Sequence, residues 1–428
     1  MMSESQRRLV FAIFLYTCIE GLVVNFFYPN PIAYLPKDAL IAVLYASLFL
    51  SGIGPAGSVA RIIGPFVIFA GVTFLFIAMP TPVSPIGLSV ALKQRLFYIP
   101  LAIAGYHYVR GDYDVARLLR LIAWSSIPVS LFGMYLFFGG PYTLKDMGAD
   151  YSYTFYSTMG ASGQFFYRVP GTFNSPGQFG AYLLTICVLL VGFLLVSDLG
   201  RKDRHLVLVA LGCALPAMLA SGSRTPMLLF LLLGGFTAMM SRELSRVGVI
   251  AGVVYVLLVG SLNYLGAGVA DRFASIVSEE NFVRAQSTLF GQLWITQMVQ
   301  EPLGTGLATA TVGARHFSPP GTVHLVESYL GILATETGIV GVTAFLGLLA
   351  AIVSRLWPAR RWMRLAAARP IWNAGFLMVM ATSLLTTNGT ALDAIPSNLY
   401  FWFLVGMLLK MADLERDRLT ALGTGGTS

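Results

Sequence analysis

The sequence predicts an all-α, polytopic integral membrane protein with about twelve transmembrane helices. Hydrophobic residues make up 56% of the 428-residue chain, and only 11% of the residues are charged, whereas soluble domains have roughly a quarter. So few polar side chains cannot cover a soluble particle of this size, and much of the surface must therefore face lipid. The apolar residues are enough for roughly a dozen spans of about 20 residues each.

The order of apolar runs gives the positions of these helices. Each run ends at charged residues or at a Gly- and Pro-rich break, as transmembrane helices and their connections do. The first run follows Arg7 and Arg8 and has no small-residue cleavage site after it, so we expect an uncleaved span rather than a signal peptide. The predicted helices are 9–27, 37–53, 61–79, 94–109, 117–138, 177–197, 204–220, 224–241, 246–264, 325–355, 371–387 and 396–413.

The cations are divided unequally between the two sides of this map. With the N-terminus inside, nineteen of the 28 Lys and Arg residues lie on the inner side. The other nine are Lys37, Lys93, Arg95, Lys145, Arg168, Arg224, Arg272, Arg284 and Arg315. Because cytoplasmic loops carry the excess of Lys and Arg, both termini are predicted to be cytoplasmic.

The connections predict a single transmembrane domain, 1–413, followed by a cytoplasmic tail, 414–428. Inner loops are short, whereas the outer loops 139–176 and 265–323 are long, and long ordered loops are usually functional. The second lies between helices nine and ten. Its amphipathic stretch 283–299 predicts short helices against the outer face.

Several classes of site are not indicated. The three cysteines all lie in apolar runs, and there is no P-loop, HExxH or paired-cysteine motif, so no metal or cofactor is expected. The basic residues are scattered between apolar segments and form no stripe, which argues against nucleic acid as a partner.

Three outer arginines are the first candidates for a function. Arg168 lies in RVPGTFNSPG, Arg224 in SGSRTP and Arg284 in NFVRAQ. A guanidinium binds phosphate oxygens through a planar fork, so these residues suit an anionic, pyrophosphorylated ligand. The alternative for each is an interfacial anchor or a loop salt bridge. Ser223 also fits a helix N-cap with Pro226 in the first turn, which would explain SGSRTP without a ligand.

A second group surrounds the start of the tenth predicted span. His324 and Glu327 are three residues apart, so on a helix they share a face and could act on the same proton. A merely solvated position at the interface is the alternative for Glu327. Glu336 is nine residues further on and half a turn out of phase. Followed by Thr337 and Gly338, it fits a hydrogen-bonded structural role at a helix irregularity as well as a functional one.

Other polar or aromatic positions give weaker signals. Glu20 is expected to be a packing or bundle-facing residue, Asp393 a loop acid, and His316 a solvated loop residue. The aromatic stretch 151–159 could stack on sugar rings, but an interfacial aromatic belt explains it equally well.

Four stretches in order resemble the bacterial O-antigen ligase and polymerase superfamily of inner-membrane glycosyltransferases. They are RVPGTFNSPGQFGAYLL (168–184), LASGSRTPMLLFLLLG (219–234), RAQSTLFGQLWITQMVQEPLGTGLATA (284–310) and ESYLGILATETGIVGVTAFLGLL (327–349). The resemblance covers about residues 165–350.

The resemblance implies transfer of a sugar chain from a polyprenyl diphosphate to an acceptor hydroxyl on the outer face of the inner membrane. Ligases of the family show His-Asn where this chain has Val326 and Glu327, and His324 lies two positions too early. Glu followed by Ser-Tyr-Leu is more similar to repeat-unit polymerases. We therefore expect an O-antigen or exopolysaccharide polymerase; a ligase is the nearest alternative, and a polysaccharide transporter or lipid-linked-sugar flippase is one of another class.

The expected roles follow from this resemblance and from the residue types. Arg168, Arg224 and Arg284 would bind the substrate pyrophosphate without a metal, and Glu327 or His324 would be the catalytic base. The possible substrate contacts are Asn174, Ser223 and Tyr329. The expected partners are the polyprenyl-diphosphate-linked oligosaccharide and the lipid bilayer, together with a chain-length regulator and flippase of the same pathway.

Overall fold

The structure, a computed structural model, is all-helical apart from a pair of three-residue strands. It describes residues 2–27, 31–149, 157–159, 165–241, 248, 252, 259–260, 292–326, 328–364, 367–387, 389–390, 392–393 and 396–424. The chain divides into two compact units. Unit 1 is formed by 1–54, 110–278 and 365–378, and unit 2 by 55–109, 279–364 and 379–428.

Unit 1 is built around one deeply buried helix, α10 (Pro176–Leu194), on which α8 (Asp112–Gly139), α11 (Arg201–Ala220) and α12 (Arg224–Ser241) pack. Almost all of its residues are buried, and its middle turns are buried on every face. Ser175 caps its N-terminus by accepting a hydrogen bond from the Gln178 N–H, and Pro176 occupies the first turn, where a missing N–H has no consequence. The helices of unit 1 are α1 (Glu4–Thr17), α2 (Glu20–Phe26), α3 (Leu35–Leu50), α8 (Asp112–Gly139), α9 (Thr143–Asp146), α10 (Pro176–Leu194), α11 (Arg201–Ala220) and α12 (Arg224–Ser241).

Unit 1 also contains the strands and a broken helix. Strands β1 (Ser157–Met159) and β2 (Phe165–Tyr167) pair antiparallel. The axes of α1 and α2 differ by 55°, and Glu20, at the start of α2, is buried and accepts a hydrogen bond from Lys37 Nζ at 2.8 Å. The break therefore allows a carboxylate within an apolar segment to have a buried cationic partner.

Unit 2 contains the helix Tyr329–Ala359, which follows the candidate residues His324 and Glu327 in the sequence. This helix, α14, spans 31 residues and contains one non-helical residue, Gly338, with φ 57° and ψ −153°. The helices of this unit are α4 (Gly57–Ala60), α5 (Ile63–Leu75), α6 (Pro85–Leu92), α7 (Leu101–Tyr108), α13 (Gln292–Gln300), α14 (Tyr329–Ala359) and α16 (Ser397–Thr424). A π-helical turn, Lys93–Phe97, connects α6 to the residues before α7. Helix α15 (Arg369–Leu385) begins in unit 1 and ends in unit 2.

The helices fit a membrane protein. Within the described residues, seven stretches are long and apolar enough to span a bilayer, or eight if α1 and α2 form one bent span. The seven are Gly57–Ala78, Pro85–Tyr108, Asp112–Gly139, Pro176–Leu194, Arg201–Ala220, Arg224–Ser241 and Tyr329–Ala359.

The predicted number of twelve is therefore not confirmed. Helices α3 and α15 overlap predicted spans but have only 16 and 17 residues, about 25 Å at 1.5 Å per residue, against a hydrocarbon core of about 30 Å. The predicted ninth span, 246–264, lies almost entirely outside the described residues, as does 265–291 of the long loop; α13 and a 3₁₀ turn, Val312–Phe317, lie in the rest of that loop.

Candidate functional site

Arg168 lies against the turn between α11 and α12. Its Nε donates to the Ser221 carbonyl at 3.2 Å, and its Nη2 donates to Ser223 Oγ at 3.0 Å. The Ser223 hydroxyl in turn donates to the Pro176 carbonyl at 3.0 Å. Unit 1 thus brings together the first two stretches of the resemblance, 168–184 and 219–234, at the N-termini of α10 and α12.

The close approach of these stretches depends on a residue without a side chain. A Cβ at Gly180 would lie 2.9 Å from Ser223 Cβ, closer than two carbon atoms can pack. Ser223 immediately precedes α12, as expected for an N-cap, but its hydroxyl also forms the two contacts with Arg168 and Pro176. These two contacts differ from those of an N-cap, whose side chain accepts from a backbone N–H of the first helical turn, so the cap interpretation stays a prediction.

The other predicted contacts of unit 1 are near the same turn. Arg224 is the first residue of α12 and is half-buried. Asn174, just before α10, donates its backbone N–H to Gln178 Oε1 at 3.2 Å. Its side-chain Oδ1 and the hydroxyl of buried Thr172 have no hydrogen-bond partner among the described residues. Polar atoms of this kind can accept or donate hydrogen bonds to a ligand.

Two predicted residues, Arg284 and Glu327, lie outside the described residues, so their roles stay predictions. His324 is exposed, and its backbone N–H donates to the Thr309 carbonyl at 2.7 Å. Tyr329, at the start of α14, is buried, with its ring centroid 5.0 Å from that of Phe345. The Tyr329 ring thus forms part of the core of unit 2.

A buried polar cluster in unit 2 is formed by Glu336 and the loop before α14. Glu336 Oε1 accepts hydrogen bonds from Ala310 N at 2.8 Å, Thr311 N at 2.6 Å and Thr311 Oγ1 at 2.8 Å. Its other oxygen, Oε2, accepts from Arg95 Nη2. Glu336 is fully buried and Arg95 is 2% exposed. The irregularity expected near Glu336 is present, since Gly338 interrupts the helix two residues later.

Arg95 has additional hydrogen-bonding capacity. It lies in the π-helical turn between α6 and α7, and neither its Nε nor its Nη1 has a hydrogen-bond partner in the part of the chain that the structure describes. The sequence interpretation placed Arg95 among the outer cations, at the end of a span. In the structure it is a buried member of an ion pair and lies within the helical stretch Pro85–Tyr108, which begins before the predicted span.

Asp393 is a third charged residue near this cluster. It is 5% exposed, and its Oδ2 accepts a hydrogen bond from Val312 N at 3.3 Å. Burial raises the pKa of this carboxyl to about 7, and the negative charge of Glu336 acts in the same direction; the Val312 N–H and the Arg95 charge oppose the shift. The sequence predicts a loop acid at Asp393, and nothing in the local pattern indicates that this side chain is buried.

Among the described residues, no group of three or more His, Cys, Asp or Glu side chains is arranged to hold a metal ion.

Comparison of the chain with protein-family models and with curated proteins gives no match.

Proposed function

We propose that this protein is a membrane glycosyltransferase that polymerises polyprenyl-diphosphate-linked oligosaccharide repeat units on the outer face of a bacterial inner membrane. The proposal includes twelve spans, both termini in the cytoplasm and the long outer loop between helices nine and ten. The observation that carries it is the contact of Arg168 with Ser221 and Ser223. This contact joins two separate stretches of the resemblance around a guanidinium.

The other two stretches are also joined within unit 2. The third, 284–310, ends in the loop whose Ala310 N–H is held by Glu336, and Glu336 belongs to the fourth, 327–349.

The reaction needs two kinds of group. An acceptor hydroxyl oxygen forms a bond to the anomeric carbon of the donor sugar, the bond from that carbon to the phosphate oxygen breaks, and the electron pair leaves with the lipid diphosphate. Arg168, Arg224 and Arg284 are proposed to stabilise the charge on this leaving group, as fixed cations do in an apolar environment. His324 or Glu327 is proposed to accept the hydroxyl proton.

Glu327 has a restriction of its own as a base. A nearby guanidinium lowers the pKa of a carboxyl and so weakens it as a proton acceptor. Glu327 therefore acts either away from the arginines or by orienting the acceptor, in which case His324 takes the proton.

A transporter of lipid-linked sugar is a second candidate, favoured by one specific observation. Broken helices that bear buried charges are typical of transporters, and both the α1–α2 break beside Glu20 and the Gly338 break beside Glu336 have this form.

The deciding experiment replaces Arg168 by Ala in the native host and analyses surface and lipid-linked glycans. A matched control is Arg201→Ala, since Arg201 is exposed at the start of α11. With equal amounts of protein in the membrane, accumulation of single lipid-linked repeat units supports the polymerase. Retention of long lipid-linked chains indicates a ligase. Substrate held on the cytoplasmic leaflet, seen by leaflet-specific labelling, indicates a transporter, and normal polymer would refute the site.

A further inference from the structure

The loop 303–311 of unit 2 has an unusual backbone that requires an external anchor. Gly304, Gly306 and Ala308 all have positive φ angles, of 73°, 98° and 72°. Glycine adopts this conformation freely, but an alanine does so only at a cost of roughly 1–2 kcal/mol. Ala308 therefore stays in this conformation only because surrounding contacts determine it.

Glu336 supplies the anchor. Oε1 of Glu336 accepts three hydrogen bonds, from Ala310 N, Thr311 N and Thr311 Oγ1, and Oε2 accepts one from Arg95. Because the residue is fully buried and one of its oxygens is held by three donors of the loop, Glu336 fixes the backbone at residues 310 and 311.

The anchored loop is connected to a proposed site residue. The Thr309 carbonyl, next to the anchored Ala310, accepts the backbone N–H of His324 at 2.7 Å. The Thr309 hydroxyl donates to the Gly306 carbonyl at 2.8 Å. Glu336 and the backbone of His324 therefore hydrogen-bond to the two ends of one peptide group, the one that joins Thr309 to Ala310.

We propose that Glu336 is a positioning residue, which holds residues 309–311 and through them sets the place of His324 relative to the acceptor hydroxyl. This role rests on the proposed function. It assigns no chemistry to Glu336 itself, whose contribution is to fix the backbone that leads to the proton acceptor.

Glu336→Gln is the sharpest variant because it changes one oxygen to NH₂ at nearly constant volume. The remaining oxygen can accept hydrogen bonds either from the loop donors of Ala310 and Thr311 or from Arg95. In either orientation, the new NH₂ group faces the other set of donors and cannot accept from them. Thr311→Val removes one hydroxyl donor with the same shape, whereas Thr311→Ser keeps the hydroxyl. Glu20→Gln is the matched control, since Glu20 is also a buried carboxylate with a cationic partner.

The first measurement reports the loop without reference to catalysis. In a Cys213→Ser background, Ala314→Cys introduces a thiol at a fully buried position beside Leu307 and Ala308, and the native Cys18 and Cys187 are buried. We expect a membrane-impermeant maleimide to label Cys at position 314 at least tenfold faster when Glu336→Gln is added than when Glu336 is intact. Adding Glu20→Gln should leave the labelling rate unchanged. Equal labelling with and without Glu336→Gln would overturn the anchor.

The second measurement uses purified protein and lipid-linked repeat units. Per folded molecule, Glu336→Gln is expected to lower kcat at least tenfold and to change KM less than threefold. Thr311→Val should lower kcat by a smaller factor than Glu336→Gln does. Thr311→Ser, which keeps the hydroxyl, should have a kcat close to that of the wild type. Activity that falls only in proportion to the amount of folded protein, or a change in KM alone, would refute positioning.

The two measurements separate this inference from the proposed function. Faster labelling at position 314 with unchanged kcat means that the loop is anchored but does not position His324, and it contradicts the proposal alone. If the purified wild-type protein forms no polymer and Arg168→Ala leaves the glycans of the host unchanged, the proposed function fails, and the positioning role that rests on it fails with it. The labelling result remains valid in that case for the anchor.

Discussion

Arg95 and Glu336 form a buried ion pair between a π-helical turn and the broken helix α14, although they are 241 residues apart in the sequence. Burying two charges is favourable only when their hydrogen-bonding groups have partners. The partners are unequally distributed, because Glu336 has three further donors whereas the Nε and Nη1 of Arg95 have no partner among the described residues.

This asymmetry predicts unequal effects when either partner is replaced. Glu336→Leu leaves a buried guanidinium and three loop donors without an acceptor, so it should lower the free energy of unfolding by about 3–5 kcal/mol. Arg95→Met leaves a carboxylate that keeps three hydrogen bonds and should be less destabilising. The double variant should lose less stability than the two single losses added together. Thermal unfolding of the purified proteins in detergent measures all three, and equal single effects would contradict the asymmetry.

Gly338 should not tolerate a side chain. Its φ of 57° favours glycine. A Cβ there would lie 2.0 Å from the carbonyl oxygen of Pro302, and this oxygen also accepts a hydrogen bond from the Ile339 N–H at 2.9 Å. We expect Gly338→Ala to lower the melting temperature strongly and to reduce the amount of folded protein.

The matched control for Gly338 lies in the same helix. Gly347 is exposed, and nothing lies within 4 Å of a Cβ placed there. Gly347→Ala should therefore be neutral or stabilising by up to about 1 kcal/mol, the difference in helix propensity. A similar loss of stability in both variants would show that α14 is not broken at Gly338.

The raised pKa of Asp393 should make the stability of the protein depend on pH. The pKa of this carboxyl is about 7 in the folded protein, where burial disfavours the charge, whereas the ordinary pKa of an aspartate is 3.8. Between these values the folded state binds more protons than the unfolded state, so stability should fall as the pH rises from about 4 to 7, by at most about 1.4 kcal/mol per pH unit, and then level off.

Asp393→Asn tests this assignment. The variant keeps an oxygen that can accept from Val312 N but has no proton to lose. Its melting temperature should change less than that of the wild type between pH 5 and pH 8, and above pH 7 the variant should be the more stable protein. Identical pH profiles would rule out Asp393 as the group that titrates.

The sequence predicts the bounds of some helices closely because each apolar run is a local signal. Helix α12 begins and ends at the predicted residues, 224 and 241, and α10 begins at Pro176, one residue before the prediction. The buried cluster has no such signal. Nothing near Arg95 indicates a partner at Glu336, and a loop that buries Asp393 has the same local composition as an exposed one. The local pattern does indicate the irregularity beside Glu336, because a glycine follows this carboxylate within an apolar helix.

Gly180 offers a test of the contact between Arg168 and the turn before α12, because it packs against Ser223. A Cβ at this position would be 2.9 Å from Ser223 Cβ and 3.1 Å from Ser223 Oγ, so Gly180→Ala should move the hydroxyl that accepts from Arg168 Nη2. Gly177→Ala is the control on the same helix, since its nearest neighbour would be Ser175 Oγ at 3.9 Å. We expect Gly180→Ala to reduce polymer formation in the native host about tenfold, and Gly177→Ala to leave it within threefold of the wild type. If both variants form normal polymer at equal protein levels, the Arg168–Ser223 contact has no part in the reaction, and Arg168 serves as an anchor of the fold.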